Sequence, residues 1–209
     1  THLHEVEIKS HTDELTRFNI QTRDVLNAQW IERNRGNSLA DLLKSMPGVT
    51  TLGSGVAIAK PVIRGLHSNR LVTVNNGIRQ EGQQWGADHG TEIDPFSSNK
   101  IEVIKGASSV EFGAEAIGGV VRFSPREFKD TKGINGELIL NTASNNGLGA
   151  SAIMLEGMHG NKHKLSWRAN GSLRKAGDSR TPDYVLSNTA YEEISGNYAL
   201  HYQYKNFHA

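Results

Sequence analysis

The sequence predicts a small α+β unit with a mixed sheet and short helices, followed by a meander of antiparallel β-strands. Three observations predict it. Residues 100–124 read as strand, glycine, short helical turn, glycine pair, strand. Residues 38–46 carry one apolar helical face. From Gly136 onward the chain changes to runs of alternating apolar and polar residues separated by Asn-Gly and Gly-Asn turns.

The elements follow in order. Leu3-His4-Glu5-Val6-Glu7-Ile8 alternates as a strand does. Residues 24–33 suit a short helix. Over residues 38–46 the helix signal is better. Ser38 with Asp41 makes a capping-box-like pair, with Asp in the usual Glu place. Leu39, Leu42, Leu43 and Met46 fall on one face, and Pro47-Gly48 ends the run. Leu52-Gly53-Ser54-Gly55 reads as a flexible loop. Pro61-Val62-Ile63-Arg64-Gly65 reads as a strand. Leu71-Val72-Thr73-Val74 is a strand, Asn75-Asn76-Gly77 a strong turn signal, and Ile78-Arg79 continues beyond it. Residues 81–92 form a polar, glycine-hinged loop around Trp85, and such loops bind more often than they pack. Asp94-Pro95 reads as a helix start, with Pro at the first helical position.

In the central stretch, Ile101, Val103 and Ile104 make a β run that Gly106 stops. Residues 107–112 allow one helical turn, which Gly113 ends. Gly118-Gly119 then opens a second run over residues 120–123. The Gly-Lys-Ser/Thr triplet of a phosphate loop is absent from this stretch.

Beyond Gly136, residues 137–145 and 149–159 are β-like, with turns at Asn145-Asn146-Gly147 and Gly160-Asn161. Leu165, Trp167, Ala169, Gly171 and Leu173 alternate with Lys164, Ser166, Arg168, Asn170, Ser172 and Arg174. Residues 175–190 read as a longer polar loop. Tyr198, Leu200, Tyr202 and Tyr204 then alternate with Asn197, Ala199, His201, Gln203 and Lys205. A transmembrane β-barrel wall gives this pattern, and so does a soluble antiparallel sandwich. The residues alone leave both open.

Composition narrows the function classes. The 23 basic and 22 acidic residues balance, which gives no argument for nucleic acid as a partner. There is no cysteine, so neither a disulfide nor a thiolate site can form within the chain. No apolar run approaches the roughly 20 residues of a membrane helix. The chain begins at Thr1 without Met, and we expect a mature protein or a fragment. No nucleophile elbow and no His-Glu-x-x-His is present. An enzyme is therefore not the expected class.

Several strings resemble one family, the TonB-dependent outer-membrane receptors. Glu102-Val103-Ile104-Lys105-Gly106, Phe112-Gly113 and Ala116-Ile117-Gly118-Gly119-Val120-Val121 resemble the end of its plug domain. Ser38-Leu39-Ala40-Asp41-Leu42-Leu43 with Met46-Pro47-Gly48-Val49 is similar to its early plug helix. Ile63-Arg64-Gly65 resembles its Ile-Arg-Gly strand. Leu71-Val72-Thr73-Val74-Asn75-Asn76-Gly77-Ile78 matches a family pattern but carries one extra Asn. The resemblance implies an α+β plug domain, a small mixed sheet with short helices, over residues 1–127. Antiparallel transmembrane β-barrel strands follow over residues 128–209. A plugged transporter has about 22 strands. Four strands cannot close a barrel, and open edges in lipid leave backbone groups unpaired. The resemblance therefore implies an incomplete barrel, the N-terminal part of a longer receptor in the Gram-negative outer membrane.

It also implies energy-coupled import. TonB, the periplasmic coupling protein, would act at the N-terminal segment, although no clear TonB-binding stretch precedes Leu3. Other implied partners are outer-membrane lipid and a small-molecule or metal cargo. No cofactor is required; zinc or an iron chelate would be present as cargo. Glycine-rich segments at 53–55, 86–90 and 113–119 are candidate hinges. Arg64, Glu102 and Arg122 are candidates for ion pairs between plug and barrel wall, or else solvated surface charges.

Two ligand sets stand out. Asp88-His89, with Glu81, Glu92 and His67 in nearby loops, offers oxygen and imidazole donors suited to zinc. Some zinc-transporting family members are similar in placing an Asp-His pair in the plug's outward loop. The plain alternative is an ordinary turn with His89 bonded to backbone. Arg79, Gln83, Gln84 and Trp85 would instead suit an iron chelate or haem, through stacking and hydrogen bonds. A third possibility is a non-transporting outer-membrane binding protein. His159 and His163 flank a turn and read as an exposed pair.

Overall fold

The computed structural model describes residues 22–34, 39–54, 58–81, 93–130, 132–204 and 207–208. The strand expected at Leu3 to Ile8 lies outside them, as does Ser38 of the capping pair. The first unit contains β1 (Thr22–Leu26), α1 (Ala28–Asn34), α2 (Leu39–Leu43), β2 (Val49–Ser54), β3 (Ile58–Ile63), β4 (Leu71–Asn75), β5 (Ile78–Arg79), β6 (Lys100–Lys105) and β7 (Gly119–Ser124). Its main sheet runs β1-β6-β7-β4-β5. Only the β4–β7 pair is parallel, so the sheet is mixed as expected. β2 and β3 form a separate hairpin.

The apolar helical face is real. Leu39, Leu42, Leu43 and Met46 are buried, and they pack with Ile63, Ile101, Val103 and Phe123. Burying such a side chain stabilises the unit by about 1.5–3 kcal/mol each. Asn76 and Gly77 take φ of 50° and 79°, the geometry of a tight primed hairpin turn between β4 and β5.

Three local expectations are corrected. Residues 24–26 are strand, not helix. Asn27 Oδ1 accepts the Trp30 N–H at 3.0 Å, which starts α1 only after β1 has paired with β6. Leu52 to Ser54 belong to β2, because their backbone pairs with β3 from Ile58 to Lys60. Asp94-Pro95 opens a tight turn, not a helix. Asp94 Oδ1 accepts the Phe96 N–H and its carbonyl accepts the Ser97 N–H, each at 3.0 Å.

Glu102 also departs from expectation. It is 2% exposed and sits among Arg23 at 3.2 Å, Lys100 at 2.9 Å and Arg122 at 3.4 Å. These pairs lie within the plug sheet and not against the wall. The cause is register: Glu102 lies opposite Val25 on β1 and Arg122 on β7. Arg64 sits in a turn with φ of 50°, outside this cluster.

In the central stretch, two 3₁₀ segments, Gly106–Phe112 and Ala114–Ile117, separate β6 from β7. Gly119 then enters β7 with φ of 136°, and a Cβ there would stand 2.8 Å from the Ile104 carbonyl oxygen. Only glycine admits both that backbone and that approach.

The second unit is an antiparallel sheet, β14-β13-β10-β9-β8. Its strands are β8 (Gly133–Ala143), β9 (Leu148–His159), β10 (His163–Ala176), β13 (Tyr191–Tyr204) and β14 (Phe207–His208). The expected loop over 175–190 carries its own hairpin, β11 (Ser179–Arg180) with β12 (Val185–Leu186). Asp178 Oδ1 accepts the N–H of Thr189 and of Ala190, which closes that loop.

The alternation sorts the faces of the wall. Ile134, Leu138, Leu140, Ile153, Leu155, Leu165, Ile194 and Leu200 are all exposed on one side. Leu148, Ala150 and Ala176 on the other side are buried with Phe96 of the first unit against them. Trp167 lies across from Gly157, where a Cβ would be 2.7 Å from its Nε1. His163 Nδ1 is 2.7 Å from the Tyr202 hydroxyl, and its ring stacks on Tyr204 at 4.4 Å. This groups aromatic side chains at one end of the exposed face, as interfacial girdles do in membrane barrels.

Gly119→Ala is therefore predicted to destabilise the β6–β7 pair by about 1–3 kcal/mol. Hydrogen exchange on the full-length receptor should show faster amides in both strands. Unchanged exchange there would contradict the close-approach argument.

Candidate ligand-binding site

The site predicted from sequence hangs on the β4–β5 hairpin. The Gln80 N–H donates to the Thr73 carbonyl at 2.8 Å, so the hairpin stays paired up to the start of the loop. Arg79 is partly buried and forms an ion pair with Glu115, in the second of the two glycine-bounded turns. Its Nη1 passes close to Gly113, where a Cβ would lie 3.7 Å away. Glu81 follows and is exposed. Gln83, Gln84, Trp85, Asp88, His89 and Glu92 lie outside the described residues.

His67 is exposed, ahead of the 3₁₀ turn Ser68–Arg70, with Nδ1 3.0 Å from the Ser68 hydroxyl. Among the described residues, no three His, Asp or Glu side chains gather where a metal ion would fit.

The loop returns to a firmly held point. Ile93 and Asp94 are 3% and 6% exposed. Asp94 divides its carboxylate: Oδ1 accepts the Phe96 N–H, and Oδ2 accepts the Ser172 hydroxyl of β10 at 2.8 Å. The chain is thus held on both sides of residues 82–92, by a hydrogen-bonded hairpin before them and by a turn fixed to the wall after them.

The sequence pattern placed Ser172 and Arg168 on the polar face of β10 but gave neither a partner. The Asp94–Ser172 contact joins residues 78 positions apart. Only alternation hinted at it.

Asp94→Ala should free the Phe96 amide and leave the Ser172 hydroxyl unpaired, a loss of about 1–3 kcal/mol. Hydrogen exchange at Phe96 in the full-length receptor measures it, and Asp94→Asn should recover part of the protection. Equal exchange in all three proteins would contradict the anchoring role.

Similarity to known proteins agrees with this geometry. The TonB-dependent receptor plug domain family matches residues 16–120. The hemin receptor of Yersinia pestis is 30% identical over 158 residues, covering 71% of this chain and 23% of that protein. Heme/hemopexin utilization protein C of Haemophilus influenzae is 45% identical over 89 residues, 42% of this chain and 12% of that protein. The chain thus spans less than a quarter of the length of these two curated relatives. The crystal structure of the siderophore receptor PirA from Pseudomonas aeruginosa shares the fold. Its TM-score is 0.65 over 88% of this chain and 32% of that one, at 21% identity. With the mixed plug sheet, the glycine-bounded turns and the two-faced wall in place, the chain belongs to the TonB-dependent receptors of the Gram-negative outer membrane.

Proposed function

We propose that this chain forms the plug, residues 1–127, and the first wall strands, residues 128–209, of a receptor that imports an iron tetrapyrrole of the haem type. The observation that carries the cargo is the 45% identity to a protein named for heme and hemopexin utilization. Two relatives named hemin receptor, at 30% and 31% identity, support it. The role is transport rather than catalysis.

The residues suit that cargo. Trp85 offers a flat apolar face for a tetrapyrrole, and Gln83 and Gln84 offer hydrogen bonds. Arg79, at the root of the same loop, offers a guanidinium for a carboxylate. His89 supplies an imidazole, the common protein ligand of haem iron. Asp88, Glu81, Glu92 and His67 would then tune the loop's charge.

A bare metal ion held by Asp88, His89, Glu81, Glu92 and His67 is the second reading. It is favoured by the oxygen and nitrogen donors crowded into one short stretch.

Coupling follows from binding. Cargo must bind one plug state more tightly to shift its population. TonB would then act on the segment ahead of β1. Among the described residues that short strand stands at the edge of the sheet, paired with β6.

Calorimetric titration of the full-length receptor in detergent tests the cargo. Hemin should bind saturably, and Trp85→Ala and His89→Ala should each weaken it by about tenfold or more, a loss of 1.4 kcal/mol. Zinc binding that His89→Ala abolishes, with hemin silent, would replace the haem reading by the metal-ion one.

A further inference from the structure

The chain leaves the plug as an extended strap, and each residue from Arg126 to Asp130 touches the wall. Arg126 Nη2 lies 3.0 Å from Glu137 on β8. The carbonyls of Arg126 and Glu127 accept hydrogen bonds from Arg168 on β10, the second at 3.0 Å. The Phe128 ring lies 4.6 Å from the Arg168 guanidinium carbon and stacks on His201 of β13 at 5.6 Å. Lys129 is 3.2 Å from Glu156 on β9. Lys164 on β10 donates to Asp130 at 2.6 Å.

Arg168 is the centre of this seam. It is 3% exposed, and its Nε and Nη2 donate to Glu156 Oε2 at 3.2 and 3.0 Å. A guanidinium presents five donors in a rigid fork. Here the fork is divided between one buried carboxylate and two consecutive strap carbonyls. Sliding the strap by one residue would break both carbonyl bonds and leave Arg168 with Glu156 alone, so part of a buried guanidinium would lose its acceptors, which is costly.

The same strand holds the plug at three levels. Lys164, Arg168 and Ser172 are spaced four residues apart, so they share one face of β10. At strand geometry they stand about 13 Å apart along it. Lys164 takes Asp130, Arg168 takes the strap at Arg126 and Glu127, and Ser172 takes Asp94. Phe96 adds an apolar contact beside Leu148, Ala150 and Ala176.

We propose that β10 is the stationary seat of the plug and that Arg168 is the positioning residue that fixes it. Residues 93–99 and 126–130 stay on β10 while the rest of the plug rearranges. The passage for cargo therefore opens elsewhere around the plug's circumference. The transport arm of the test rests on the import reading above; the structural arm does not.

For the transport arm, Asp94→Cys and Ser172→Cys are combined in the full-length receptor, with any other cysteine replaced, and joined by oxidation. Accumulation of iron-labelled hemin is compared in cells before and after reduction. The cross-linked receptor should accumulate hemin as the reduced one does. Accumulation lost on oxidation and regained on reduction would overturn the stationary seat.

For the structural arm, hydrogen exchange is followed on the purified receptor in detergent. Exchange across residues 126–130 should be about tenfold faster or more in Arg168→Met than in the parent, while β4 and β7 stay unchanged. No response to Arg168→Met would overturn the role of Arg168. A parent receptor that accumulates no hemin would sink the haem proposal instead, and the exchange result would then decide the seat alone.

Discussion

A strand that meets lipid on one side and a folded plug on the other has two different environments, and its side chains alternate between them with a period of two. The wall of this chain depends on that constraint. A slip of one residue would turn Arg168, Glu156 and Ser172 toward lipid and Leu165, Trp167 and Leu173 toward the plug. The first exchange buries charge in hydrocarbon, at a cost of several kcal/mol per group by the order of magnitude for such transfers, and the second sets apolar side chains against the plug's polar groups. The register of β9, β10 and β13 is therefore set by chemistry on both faces at once. The same alternation that makes the wall a membrane structure delivers Arg168 and Ser172 to the plug.

The plug solves a different problem. Its sheet must pack helices and hold a buried carboxylate without leaving that charge alone. Glu102 is enclosed, but Lys100 and Arg122 are about half and one third exposed, so water still solvates the cations. A carboxylate inside with cations on the rim keeps most of the Coulomb attraction without the full desolvation of a buried pair. Lys105 does the reverse on the same strand: its buried ammonium donates to the Asp24 carboxylate and the Pro47 carbonyl, tying β1 and the end of the α2 segment to β6. Both devices lie on β6, the strand that the central glycine-punctuated stretch begins with.

Much of this was legible in the sequence. The glycine-bounded turns, the apolar face of α2 and the four long wall strands are local patterns, and periodicity reads them directly. The misread segments were decided by partners far away in the chain. Asp24 to Leu26 look helical until β6 is there to pair with them. Leu52 to Ser54 look like a loop because Gly53 and Ser54 hide a hairpin strand. Glu102 was seen as a candidate for an ion pair, but its partners depend on sheet order, which no local pattern gives. For the site, the loop around Trp85 was found by composition, whereas its fixed end at Asp94 and Ser172 and the Arg168 seam needed the fold.

The central claim is that a cargo-sensitive plug sits in this wall and is worked from the periplasm. The most direct measurement is accumulation of iron-labelled hemin by cells carrying the full-length receptor, with and without TonB. The account predicts surface binding in both and accumulation only where TonB is present. Equal accumulation without TonB would contradict energy-coupled import through this plug.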